Sequence, residues 1–147
     1  MAQPKDVPEM SLYTRLRGKL GVSRIRSDRD LALLVEKRLS ATVIKSLVRG
    51  GLSDSEVYRL IVPRRTLAHR IARQQPLSQK ESDKAVRVAR ITAMAEQVFG
   101  DSQRAWRWLR KPKRLFAGKT PIEMLATETG ARMIEGLIVQ IDHGMAA

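Results

Sequence analysis

At 147 residues and 43% apolar content, the chain is long enough for one ordinary domain or two small ones and can bury a core, which argues against disorder throughout. It has no cysteine, which excludes disulfides and thiolate metal sites. It also has no apolar run of the length that a bilayer span or signal peptide needs, so a cytoplasmic location is the expectation. The 28 Lys and Arg outnumber the 15 Asp and Glu, a formal net charge of +13 that suits a polyanionic partner such as nucleic acid.

The first stretch, residues 1–27, carries Pro4, Pro8, Gly18 and Gly21 without a sustained apolar period, and is expected to be a flexible basic arm with at most a short turn near Leu12–Leu16. Beyond it, Ser and Thr stand where helix N-caps are needed and Gly where helices stop. Helices are predicted over Asp28 to Leu39 and Ser40 to Arg49, the second ending at Gly50-Gly51. Ser53-Asp54-Ser55-Glu56 is a capping box opening a short helix to Leu60, and Pro63 suits the first position of the next, where its missing N–H would be unpaired anyway. Ser78-Gln79-Lys80-Glu81 is a second capping box; it starts a long helix to Phe99, whose Ala85, Val88, Ala89, Thr92, Ala95 and Phe99 recur at steps of three and four.

After Gly100, Asp101 can cap a segment Ala105–Arg110 that holds both tryptophans, and Pro112 breaks it. Thr120-Pro121-Ile122-Glu123 combines an N-cap, an N1 proline and an N3 carboxylate. A final helix should start near Glu128, with Ile134, Leu137, Ile138 and Ile141 as its stripe and Gly144 as its stop. Strand signals are almost absent, so the expected fold is all-α.

Charge divides the chain. Residues 1–80 hold 17 basic and 7 acidic side chains, whereas residues 115–147 hold only Lys119 and Arg132 against Glu123, Glu128, Glu135 and Asp142. The two ends should meet different partners.

Residues 51–70 read as short helix, tight turn, second helix, the pattern of a helix-turn-helix. The second helix of such a motif enters the major groove with its N-terminal turn leading. Arg64, Arg65 and Thr66 would then reach bases or phosphates first, with His69, Arg70 and Arg73 along the same approach. The plainer reading is a solvated cationic helix face. His69 is no metal ligand by itself, because the only other histidine, His143, belongs to a distant helix.

Residues 104–114 interleave six cations with Trp106 and Trp108. That composition can bind nucleic acid by stacking and charge, but at least one ring is better read as core, with Trp106 and Leu109 on one face and Trp108 exposed. The stretch from Leu115 to Ile141 is apolar and slightly acidic, and suits either a plain core or a protein partner. No Cys nucleophile, His-Glu-x-x-His helix or phosphate-cradling Gly-x-x-x-x-Gly-Lys loop is present, so neither enzymatic activity nor a metal or cofactor is expected.

Several spaced segments, taken together, resemble a known family. They are Arg65-Thr66-Leu67-Ala68-His69-Arg70, Leu77-Ser78-Gln79-Lys80-Glu81-Ser82-Asp83, Val98-Phe99-Gly100-Asp101, Trp108-Leu109 with Pro112, Leu115 through Leu125, and Thr127-Glu128-Thr129-Gly130. Over residues 28–147 the chain is similar to the Xre-type antitoxins that pair with RES-domain toxins and end in a toxin-binding domain of the Xre/MbcA/ParS type. The resemblance implies a DNA-binding and dimerising helix-turn-helix domain at 28–75 and a toxin-binding domain at 78–147. It implies further that the toxin degrades NAD and that the antitoxin's C-terminal region blocks the toxin's active site. Gln140, His143, Gly144, Met145, Ala146 and Ala147 are the candidates for that role. The complex would bind its own promoter DNA and repress it.

The turn departs from the usual family pattern, in which an extra residue, commonly glycine, separates the motif helices; here Leu60-Ile61 runs straight through Val62-Pro63. The main rival is a stand-alone helix-turn-helix transcriptional repressor, for which the basic N-terminal half would suffice but which leaves the acidic C-terminal third without a use.

Overall fold

The computed structural model describes residues 6–144, with side chains from Leu12 onward. Among these residues all regular structure is helical: α1 (Asp6–Leu20), α2 (Asp28–Lys37), α3 (Val43–Arg49), α4 (Asp54–Leu60), α5 (Arg64–Ala72), α6 (Gln79–Phe99), α7 (Ser102–Leu109), α8 (Pro121–Met124) and α9 (Glu128–Asp142), with one 3-10 turn at Arg114–Phe116. No helix among them is long and apolar enough to cross a membrane. The chain forms two compact units, the first ending at Ala89 and the second starting at Arg90. The division therefore falls inside α6, not at the junction between residues 75 and 78 that the resemblance implies, and the first half of α6 belongs with the helices before it.

The first correction to the sequence reading concerns the basic arm. Residues 6–20 form α1, which packs on α3. Tyr13, Leu16 and Leu20 are buried, at spacings of three and four that put them on one face, and Ile25 joins them below. Burying a leucine such as Leu16 contributes about 1.5–3 kcal/mol, enough to order a segment despite its proline and glycines. Polar contacts fix the chain that follows: the Tyr13 hydroxyl donates to Asp28 Oδ1 at 2.7 Å and Arg17 Nη1 to the Ile25 carbonyl at 2.7 Å. Lys19 is buried against the end of α3, with Nζ 3.4 Å from the Gly50 carbonyl. Two of its cations thus hydrogen-bond backbone carbonyls outside the helix, Arg17 that of Ile25 and Lys19 that of Gly50.

Most caps act as their residue types dictate. In α4, Glu56 N donates to Ser53 Oγ and Ser53 N to Glu56 Oε1, the two halves of a capping box. The same reciprocal pair forms between Ser78 and Glu81 and between Thr120 and Glu123. Asp101 accepts from Arg104 N at the start of α7 and Thr127 from Gly130 N at the start of α9. Pro63 is the exception: its backbone is extended, with φ −60° and ψ 151°, so it is the N-cap of α5 and Arg64 the first helical residue.

In the second unit α7 packs on α8 and α8 on α9. The core gathers Leu109, Leu125, Ile134 and Ile138, all fully buried, with Trp106 at 8% exposure. Gly130 has a steric reason: a Cβ there would collide with the Met124 carbonyl, so α9 can follow α8 this closely only with a glycine in its first turn.

Candidate functional site

Two places carry the expected functional residues, one in each unit. In the first, α4 ends in a turn whose inner side is apolar: Leu60, Ile61 and Val62 are all buried, and Ile61 N and Val62 N both donate to the Val57 carbonyl, at 2.9 and 3.1 Å. α5 then leaves the core anchored by one buried side chain, Leu67. Arg64, Arg65, His69 and Arg73 are exposed and Thr66 is half-buried. The first turn of α5 has no acidic residue, so the positive end of the helix dipole and the Arg64 and Arg65 charges are not neutralised locally. A helix start of this kind attracts phosphate.

Arg70 does not join that exposed set. Its Nε and Nη2 donate to the two carboxylate oxygens of Glu81, at 3.1 and 3.2 Å, and its side chain is 22% exposed. The geometry is the fork-to-fork pairing that guanidinium and carboxylate favour. Burial raises the Glu81 carboxyl, but hydrogen bonds from Arg70 and Ser78 and the Arg70 charge outweigh it, so its pKa lies below the ordinary value. Arg70 thus fastens the exposed helix to the start of α6 and is less exposed than Arg64, Arg65, His69 and Arg73. The capping-box motif concealed this role, because Glu81 serves the cap and the arginine together.

Sequence reasoning also passed over two surface hollows of the first unit. One, about 490 Å³, is lined by Val35 and by Gln79, Lys80, Asp83, Lys84 and Arg87 along α6. The other, about 430 Å³, includes Arg38, Ser40, Thr42 and Gln74. For the first, the available signal was the four-residue spacing of Lys80 and Lys84, which puts both on one helix face.

In the second unit, α9 buries Ala131, Ile134 and Ile138 and exposes Met133 and Val139, at 48% and 42%. Gln140 is exposed near its end, His143 is the exposed C-cap and Gly144 follows with φ +70°. Met145, Ala146 and Ala147 lie outside the described residues. Trp106 is buried with the Arg110 guanidinium 4.5 Å above its ring. Trp108, expected to be exposed, is half-buried against Phe99, with ring centroids 5.4 Å apart and Lys113 Nζ 5.1 Å from its centre.

Comparison with known proteins matches both parts. The family model of the antitoxin Xre-like helix-turn-helix domain covers residues 30–90, and that of the antitoxin Xre/MbcA/ParS C-terminal toxin-binding domain covers residues 94–144. An antitoxin Xre of Pseudomonas putida is 41% identical over 130 residues, which span 88% of this chain and 82% of that protein. An antitoxin Xre of Yersinia enterocolitica is 28% identical, over 76% of this chain and 77% of its own length. A protein of Sphingobium named Prs ADP-ribosylating antitoxin is 26% identical, over 99% of this chain and 94% of its own. With an Xre-like helix-turn-helix domain followed by a C-terminal toxin-binding domain, this chain belongs to the Xre antitoxin family.

Proposed function

We propose that this antitoxin neutralises a cognate RES-domain toxin that degrades NAD, by covering the toxin's active site with its C-terminal region, and that it binds promoter DNA as a homodimer to repress its own operon. It does so in the cytoplasm, as a binding protein and not as a catalyst. The observation that carries the reading is a division of surfaces. One unit presents a short helix whose leading turn holds Arg64 and Arg65 with no acid beside them, and the other ends in a helix with exposed apolar side chains, Met133 and Val139. The first suits phosphate, the second a protein.

Within the C-terminal region, Gln140 and His143 offer hydrogen-bonding groups at the exposed end of α9. Together with Gly144, Met145, Ala146 and Ala147 they form the blocking element of this proposal. A chain lacking residues 140–147 should bind promoter DNA with unchanged affinity and fail to stop NAD loss by the purified toxin. If the shortened chain still protects NAD, the blocking element lies elsewhere on the second unit.

A further inference from the structure

The second unit carries a cationic patch that toxin binding does not use in the reading above. Residues 101–119 contain seven Lys and Arg and a single acid, Asp101. Asp101 lies 3.6 Å from Arg104, at the start of α7. Past α7 the chain folds back on itself. Lys113 N donates to the Lys119 carbonyl at 3.0 Å and Gly118 N to the Lys113 carbonyl at 2.9 Å, through Ala117 and Gly118 at φ +54° and +87°. This turn brings Lys119, which sequence reading grouped with the acidic C-terminal third, alongside Lys113. Arg107, Lys111, Arg114 and Lys119 are all exposed.

A structural role accounts for only part of this charge. Cations near the end of α7 complement its dipole, but that dipole amounts to about half an elementary charge at the terminus. Burial first, and then the repulsion of the neighbouring Lys111 charge, hold the Lys113 ammonium below the ordinary lysine value. Polyphosphate would relieve that repulsion.

We infer that the α7 end and the 113–119 turn form a second nucleic-acid contact, which grips the phosphate backbone of duplex DNA without reading sequence. Single-stranded nucleic acid suits the patch less well. Its bases stack on open aromatic faces, whereas Trp106 is 8% exposed and Trp108 is packed on Phe99 and approached by Lys113. An acidic protein surface suits it less well too, because the patch exposes a lone large apolar side chain, Leu115 at 71%, and scattered single apolar residues are ordinary surface. This contact goes beyond the promoter recognition assigned to α5.

The test measures binding of full-length protein to a short random-sequence duplex between about 50 and 200 mM salt. It uses the Arg64→Ala/Arg65→Ala background, so that the exposed start of α5 contributes little. That background variant should still bind. Adding Arg107→Ala, Lys111→Ala and Arg114→Ala should reduce the log–log salt slope by about two to three units, at about 0.9 per lost phosphate contact. The charge-keeping set Arg107→Lys, Lys111→Arg and Arg114→Lys should preserve the slope, which separates charge from folding. Absence of binding by the background variant, an unchanged slope in the alanine set, or equal losses in both sets would each overturn the inference. An unchanged slope accompanied by lost toxin neutralisation would assign the patch to the toxin instead. Failure of the α5 reading has its own signature, namely that Arg64→Ala/Arg65→Ala keeps full preference for promoter over random DNA.

Discussion

Changing Arg70 to Ala separates a fold-holding arginine from a DNA-contacting one. Two charge-assisted hydrogen bonds join it to Glu81, and the side chains are 22% and 14% exposed, so solvent screens the pair only in part. Hydrogen bonds to charged groups contribute about 1.5–3 kcal/mol net, and fully exposed ion pairs less than about 1 kcal/mol. Arg70→Ala should therefore cost about 1.5–2.5 kcal/mol in urea denaturation. Glu81→Ala also removes the carboxylate that accepts from Ser78 N, and should cost about 1 kcal/mol more, the scale of a lost cap. A double-mutant cycle on the pair should return a coupling of about 1–2 kcal/mol. In salt titrations Arg70→Ala should leave the DNA-binding slope nearly unchanged, because the guanidinium is engaged within the protein. A stability change below about 0.5 kcal/mol with a slope lowered by about 0.9 per bound protomer, the mark of a lost phosphate contact, would instead make Arg70 a DNA-contacting residue.

Acid should act on the same pair. Glu81 has a folded pKa below its ordinary 4.5, so its contribution is complete above 4.5 and disappears as pH falls through the folded value; wild type should lose stability in that window and Glu81→Gln should lose less, by urea midpoints across pH. Arg64→Ala/Arg65→Ala should weaken promoter binding and lower the salt slope by about two units per bound protomer while leaving NAD protection intact, checked by anisotropy and a coupled toxin assay. Trp106→Ala should destabilise the second unit by about 3–5 kcal/mol, measured by chemical denaturation, since the ring is buried and not a stacking platform. Gly130→Ala should cost about 1–3 kcal/mol or more, because its Cβ meets the Met124 carbonyl and backbone gives way poorly.

Elements with local signals were legible from the chain alone. The three capping boxes, the Asp101 cap and the start of α9 at Glu128 follow from short-range hydrogen-bond chemistry that three or four residues specify. α1 was not legible, because Tyr13, Leu16 and Leu20 are sparse among cations and its order comes from packing on α3, a contact distant in sequence. The exposed start of α5 could be read from Pro63 and the arginines that follow, whereas the pairing of Arg70 with Glu81 could not, since that partner lies eleven residues away, in a motif already explained by capping. The same limit applied to Lys119, whose place beside Lys113 depends on a backbone turn that charge counting averages away.

The toxin-neutralising role proposed for the second unit rests on this chain protecting NAD from a RES-domain enzyme. The direct measurement is co-expression of this chain with a RES-domain toxin, following growth and cellular NAD against the toxin alone. Both should be restored with the wild-type chain and remain restored with Arg64→Ala/Arg65→Ala. NAD that collapses equally with and without this protein would contradict it.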